Sequence, residues 1–202
     1  MARINSCWSL VAALGYPPAM PRLFVAIDFP EAVTQRLAAL CSGLAGARWL
    51  PPEQFHLTLR FIGEVDSGAF ADIVDDLSAV ACPPFSLSLG GVGYFPPRGE
   101  PRVLWAGVDV RLGAGEELAR LQSQIESRLR LLGIEPEGRK FAPHVTLARL
   151  KGTPVNQLGD YLIVHGDFIT ETIQLTEFHL YSSVLRPKGA LHRIEASYPL
   201  EA

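Results

Sequence analysis

Five histidines are spread over this 202-residue chain, and two of them sit in matching stretches, "FHLTLRFIG" from Phe55 and "PHVTLARL" from Pro143. Each contains His-x-Thr followed by Leu. On a strand, residues i and i+2 point the same way, so His56 shares a face with Thr58 and His144 with Thr146, while Leu57 and Val145 turn to the other side. A side chain that exchanges a proton near neutral pH thus stands beside a hydroxyl that donates a hydrogen bond. Two such pairs around one small volume would make an acid/base site. A neutral imidazole would take a proton from water, a protonated one would give a proton to a leaving oxygen, and the hydroxyls would hold the oxygens of a phosphate.

With five His and seven Thr, chance yields roughly 0.2 His-x-Thr pairs, so one occurrence says little and two on similar apolar frames say more. A lone strand histidine is usually solvent-facing, and a strand threonine is usually there for β-propensity. The matched pair outweighs both readings. His165, His179 and His192 have no such frame and read as surface or structural residues.

Strict alternation puts Phe55, Leu57, Leu59 and Phe61 on the core side and His56, Thr58 and Arg60 on the other, so Arg60 is expected to help hold a phosphate. Arg149 is out of phase with His144 and Thr146, because Ala148 takes the place matching Arg60. It reaches the site only if a bulge redirects it. Phe141, in a loop, and Tyr181 are the aromatic side chains expected to stack on a base. No H-E-x-x-H or similar cluster suggests a metal, and no Walker loop, G-x-G-x-x-G or G-x-S-x-G suggests other chemistry.

The elements that must position these residues follow from periodicity. "RLFVAID" is a buried-strand run, and Pro30 and Glu31 open a helix whose Leu37, Leu40 and Leu44 carry it toward Gly43 or Gly46. After "RWLPPEQ" and the first His-x-Thr strand, Ser67 is the expected cap of a second helix, with Phe70, Ile73, Val74, Leu77 and Val80 as its stripe. "FSLSLGGVGYF" and "RVLWAGVDV" read as two strands. The run from Gly115 to Leu132 reads as a helix stopped by Gly133. The second His-x-Thr strand, a short helix in "TPVNQLGDYLIV", and a hairpin of "ETIQLTEFHLYSSVL" with "ALHRIEASY" across "RPKG" complete the chain. The order predicts an α+β fold with mostly antiparallel sheet, in two similar halves near 21–105 and 106–202 within one domain, 21–202.

Composition excludes some partners. With 48% hydrophobic and 19% charged residues the chain is an ordinary globular one, and a net charge of −3 with pI ≈ 6.0 argues against a broad grip on a nucleic-acid backbone. Three cysteines without C-x-x-C spacing suggest neither a disulfide framework nor a zinc site, and a cytoplasmic monomer is expected. Residues 1–20 hold one early basic residue, Arg3, and an apolar run from Cys7 to Leu14 that is too short to span a bilayer. They are expected to be a poorly ordered extension, neither secretory signal nor membrane anchor.

From Met20 onward, "PRLFVAID", "RWLPPEQFHLTLRFIGEV", "RVLWAGV", "FAPHVTLARL" and "FHLYSSVL" stand in an order that resembles the 2H phosphoesterase superfamily, and within it the RNA 2′,3′-cyclic phosphodiesterases, also called 2′-5′ RNA ligases. The resemblance implies a bilobal fold, with helices on the outer faces and the two motifs facing each other across a central cleft. It implies that a 2′,3′-cyclic phosphate, at an RNA end or in a small cyclic nucleotide, is opened to a 2′-phosphomonoester without metal or other cofactor. It also implies that His56 gives a proton to the 3′ oxygen while His144 activates water; spacing alone leaves the two roles open. The alternatives are 2′-5′ RNA ligation by the reverse chemistry and an RNA-end or nucleotide-binding module without catalysis. The chain departs from the family's closing "LYES" or "LYQS" and later Tyr, having Ser182 and His192 there.

Overall fold

The structure, a computed structural model, describes residues 3–4, 21–109, 114–186 and 189–201. Arg3–Ile4 forms a short strand, β1; the rest of the extension expected to be poorly ordered lies outside the described residues, as does the centre of the "RPKG" turn. The apolar run after Met20 is β2 (Arg22–Ile27), with Leu23 through Ile27 buried. Pro30 caps helix α1 (Glu31–Ala38). It stops short of the expected Gly43, because the chain tightens into i→i−3 hydrogen bonds at Leu40 and Cys41, yet Leu40 and Leu44 remain buried. After β3 (Ala47–Trp49) and a 3-10 turn (Pro52–Gln54) comes the first motif strand, β4 (Leu57–Glu64). Helix α2 (Ser67–Leu77) is capped by Asp66 rather than Ser67: the Asp66 carboxylate accepts from the Ala69 amide at 2.9 Å.

The run expected as one strand, "FSLSLGGVGYF", divides at Ser88 into β5 (Phe85–Leu87) and β6 (Leu89–Phe95), followed by β7 (Val103–Val108). Helix α3 (Ala114–Leu131) buries Leu118, Leu121, Ile125 and Leu129 at helical spacing, and Gly133 beyond its end takes φ 76°. The second motif strand is β8 (His144–Leu150), followed by α4 (Val155–His165). The closing segment divides at Thr176 into β9 (Ile173–Leu175) and β10 (Glu177–Arg186), and β11 (Gly189–Pro199) returns antiparallel to β10.

The fold is α+β, and the strand pairings among the described residues are antiparallel. The main sheet runs β1-β11-β10-β2-β4-β8-β7-β6, with β3 also on β8, while β5 and β9 pair apart from it. Neither sequence half closes a sheet of its own: β6 and β7 pair with β8 across one side, and β10 and β11 with β2 across the other. The centre of the sheet is therefore the β4–β8 junction, with one motif strand from each half. Helix α3 packs on β4, β5 and α2, and α4 on β6, covering one face around a single large core. The opposite face carries a second, small apolar cluster of Phe24, Ala26 and Tyr181. Among the described residues no helix is long and apolar enough to cross a membrane.

Candidate active site

The two motif strands meet at one register pair, Leu57 opposite Val145, the middle residues of the two His-x-Thr triplets. Both are fully buried in the core, so both His/Thr pairs project from the other face of the sheet. An antiparallel register through that pair sets His56 opposite Thr146 and Thr58 opposite His144. The four side chains thus lie around the junction by pseudo-twofold symmetry.

Beyond the triplets, regular alternation fails in both strands. Against β2, Ala26 pairs with Thr58 but Val25 with Arg60, leaving Leu59 as an extra residue; against β7, Trp105 pairs with Thr146 but Leu104 with Ala148, leaving Leu147 extra. A bulge of this kind inverts the facing of the residues that directly follow it. Arg60 consequently turns away from the site. It is 4% exposed, ion-paired with Glu126 of α3 and donating to the carbonyls of Phe61 and Glu135. Phe61, expected in the core, is 50% exposed on the site face with its ring 5.8 Å from that of Phe24. In β8 the same bulge buries Ala148 and turns Arg149 outward, exposed, on the His144 side. The two arginines therefore exchange the roles that alternation assigns them.

Each histidine is tied to the main chain two residues earlier. His144 Nδ1 lies 2.7 Å from the Ala142 carbonyl, which can only accept; Nδ1 therefore carries the proton, and Nε2 offers its lone pair. His56 makes the corresponding hydrogen bond to the backbone of Gln54. The surroundings then differ. The His144 ring meets Phe95 edge-on at 5.0 Å and Trp105 at 6.3 Å. Trp105 lies across Gly93 of β6, where an added Cβ would fall 2.3 Å from the indole, so only glycine leaves it that room. The His56 ring packs on Phe24 at 5.0 Å and meets His192 edge-on at 5.3 Å; Tyr181 stacks flat on Phe24 at 5.0 Å, with its ring 6.2 Å from that of His56.

Burial is the largest influence on both imidazoles. It pushes His56 down to about 4, helped by His192 and His144 and opposed by Asp28 and the Gln54 hydrogen bond. His144 is also lowered, by burial first, with the Ala142 carbonyl opposing and the Arg149 charge adding. A carboxylate therefore stands near one imidazole and a guanidinium near the other. Asp28 also accepts a hydrogen bond from the Tyr181 hydroxyl.

Of the residues expected at the site, His56, His144, Thr58, Thr146, Arg149 and Tyr181 lie on this face, and Arg60 does not. Phe141, expected to be free for stacking, packs against the core. His179, read as structural, is buried with Nδ1 2.9 Å from Ser197 Oγ. Sequence reading missed His192, Asp28 and Phe61. Counting back from the β10–β11 turn pairs His192 with Ser183, two residues from Tyr181, and that alternation was available to place it here. Among the described residues no group of three or more His, Cys, Asp or Glu could hold a metal ion.

The chain matches the LigT like Phosphoesterase family over residues 27–105 and 109–192, and it belongs to that family, part of the 2H phosphoesterase superfamily. It is 33% identical over 175 residues to an RNA 2′,3′-cyclic phosphodiesterase of Archaeoglobus fulgidus, covering 85% of this chain and 96% of that one. It is 36% identical over 163 residues to one of Aeropyrum pernix, covering 78% and 91%. The crystal structure of E. coli LigT complexed with 3′-AMP superposes with a TM-score of 0.74 at 23% identity, over 90% of this chain and 99% of that chain, and shares its fold.

Proposed function

We propose that this protein is a metal-independent 2′,3′-cyclic phosphodiesterase that opens the cyclic phosphate at RNA ends, or in small cyclic nucleotides, to a 2′-phosphomonoester. The observation that carries this reading is the single Leu57–Val145 register pair, which sets two His/Thr pairs around one point of the sheet. The relatives' shared activity supports it. In the reaction, a water oxygen forms a bond to phosphorus and the bond from phosphorus to the 3′ oxygen breaks. His144 Nε2 takes the water proton and His56 gives one to the departing 3′ oxygen. Thr58, Thr146 and Arg149 hold the non-bridging oxygens as charge builds on them.

The charges beside the imidazoles support this division of roles. Asp28 favours the imidazolium at His56, and Arg149 disfavours it at His144. Burial leaves both rings neutral in the free protein, so the anionic phosphate, on binding, supplies the field that protonates His56. An RNA oligonucleotide ending in a 2′,3′-cyclic phosphate, incubated with the protein in EDTA, tests the proposal. A 2′-phosphate end is expected. A 3′-phosphate product, or activity that EDTA abolishes, contradicts it.

A further inference from the structure

Strand β3 runs antiparallel along the edge of β8 that β4 also joins, and its register sets Arg48 directly opposite Arg149. Residues so placed share a face and hold their Cβ atoms roughly 4.5–5.5 Å apart. The neighbouring pairs, Ala47 with Leu150 and Trp49 with Ala148, turn toward the core, so Arg48 stands with Arg149 on the face that carries His144 and Thr146. Both arginines are exposed, and among the described residues neither forms an ion pair. Lys151 and Arg102, also exposed, flank them: the Lys151 amide donates to the Gly46 carbonyl and the Leu150 amide to that of Arg102. Segments 46–50, 102–105 and 148–152 thus bring four cations together with no Asp or Glu among them. Like charges directly opposite on a sheet cost stability, and packing does not require two exposed arginines here. An anion held between them would remove that cost.

In the proposed reaction Arg149 is engaged by the reacting phosphate, and its charge reaches the His144 ring, whereas Arg48 is not among the groups that act on that ring. Arg149 stands four residues along β8 from Val145, on the order of 10 Å at the rise of a strand, with Arg48 beside it. All other phosphates of an RNA substrate lie on the 5′ side of its cyclic end. We propose that Arg48 receives one of these phosphates, so that the protein acts on short strands in preference to a cyclic mononucleotide. This rests on the phosphodiesterase reading above. A guanidinium suits the task, since its planar fork binds two phosphate oxygens at once and keeps its charge at any working pH. Phosphate contacts carry no base information, so the preference is one of length and not of sequence. The net charge of −3 fits a grip confined to this pair and its flanking cations rather than spread over a broad surface.

Oligoadenylates of one to four nucleotides, each with a 5′ hydroxyl and a 2′,3′-cyclic phosphate end, add one phosphate at a time behind the same reacting group. In the wild-type protein kcat/KM is expected to rise by roughly tenfold or more at the length whose phosphate reaches Arg48, the scale of one charge-assisted contact. Added salt is expected to slow the longer substrates more than the mononucleotide, by about 0.7 in the slope of log kcat/KM against log salt for one phosphate held. In Arg48→Gln the ratio of longer to mononucleotide substrates is expected to fall toward one, and the two salt slopes to converge. A ratio that Arg48→Gln leaves unchanged overturns the inference, because Arg48 would then act on the reacting phosphate or on none. Turnover without a length step in the wild type overturns this assignment alone, whereas no turnover at any length overturns the phosphodiesterase reading on which it rests.

Discussion

The two sides of the β4–β8 junction begin alike and end differently. Each has a His-x-Thr triplet, an imidazole tied to the main chain two residues back, and a bulge at the leucine that follows. Past the bulge, Arg60 enters the core to meet Glu126 and leaves Phe61 at the surface, whereas Ala148 enters the core and leaves Arg149 there. One side thus offers an apolar wall, a carboxylate and a third histidine; the other offers a guanidinium and the rings of Phe95 and Trp105. In the proposed mechanism, duplicated backbone geometry sets where the proton-transfer groups stand, and the residues just outside it decide which gives and which takes.

The comparison breaks first at the shared element. Replacing His56 or His144 by Ala is expected to lower kcat by about 10²–10⁴-fold with an unchanged circular dichroism spectrum, while His179→Ala leaves kcat near wild type. The arginines, opposite in burial, are expected to fail in opposite ways. Arg60→Ala strands Glu126 beside the core and should lower unfolding stability by about 3–5 kcal/mol in urea melts. Arg149→Ala, on the exposed face, should leave stability within about 0.5 kcal/mol and weaken substrate use by about 1.5–3 kcal/mol, read as a fall in kcat/KM.

Smaller effects sharpen the contrast between the imidazoles. An NMR titration should place the His56 midpoint near 4 in the free protein; His192→Gln should raise it and Asp28→Asn lower it, because those neighbours act on it with opposite signs. Least of all, stability should follow His56. The folded protein holds its proton less tightly than the unfolded chain, with an ordinary histidine value of about 6.5, so stability is full above that pH and declines as pH falls toward about 4. Thermal melts across that window should show a shallower decline in His56→Asn.

Much of this was legible in the sequence, for physical reasons. The His-x-Thr faces follow from alternation alone, and the antiparallel α+β order from short connections between periodic runs. The bulges were harder to see. In β8 a trace existed, since the apolar residues Val145, Leu147 and Leu150 break the two-residue period, but in β4 Arg60 could be read as polar surface because nothing in the sequence announces Glu126 across the core. His192 could be placed by counting back along the β10–β11 hairpin, but Asp28 depends on how β2 lines up between β4 and β10, a non-local register that single-strand patterns do not contain.

Whether the two motif strands make one site is tested most directly by combining the histidine substitutions. If His56 and His144 act on the same phosphate, the His56→Ala/His144→Ala double variant will hydrolyse a 2′,3′-cyclic phosphate little more slowly than the slower single variant, because groups acting as a unit are lost together. Losses that multiply, so that the double variant falls by the product of the two single effects, would contradict a shared site.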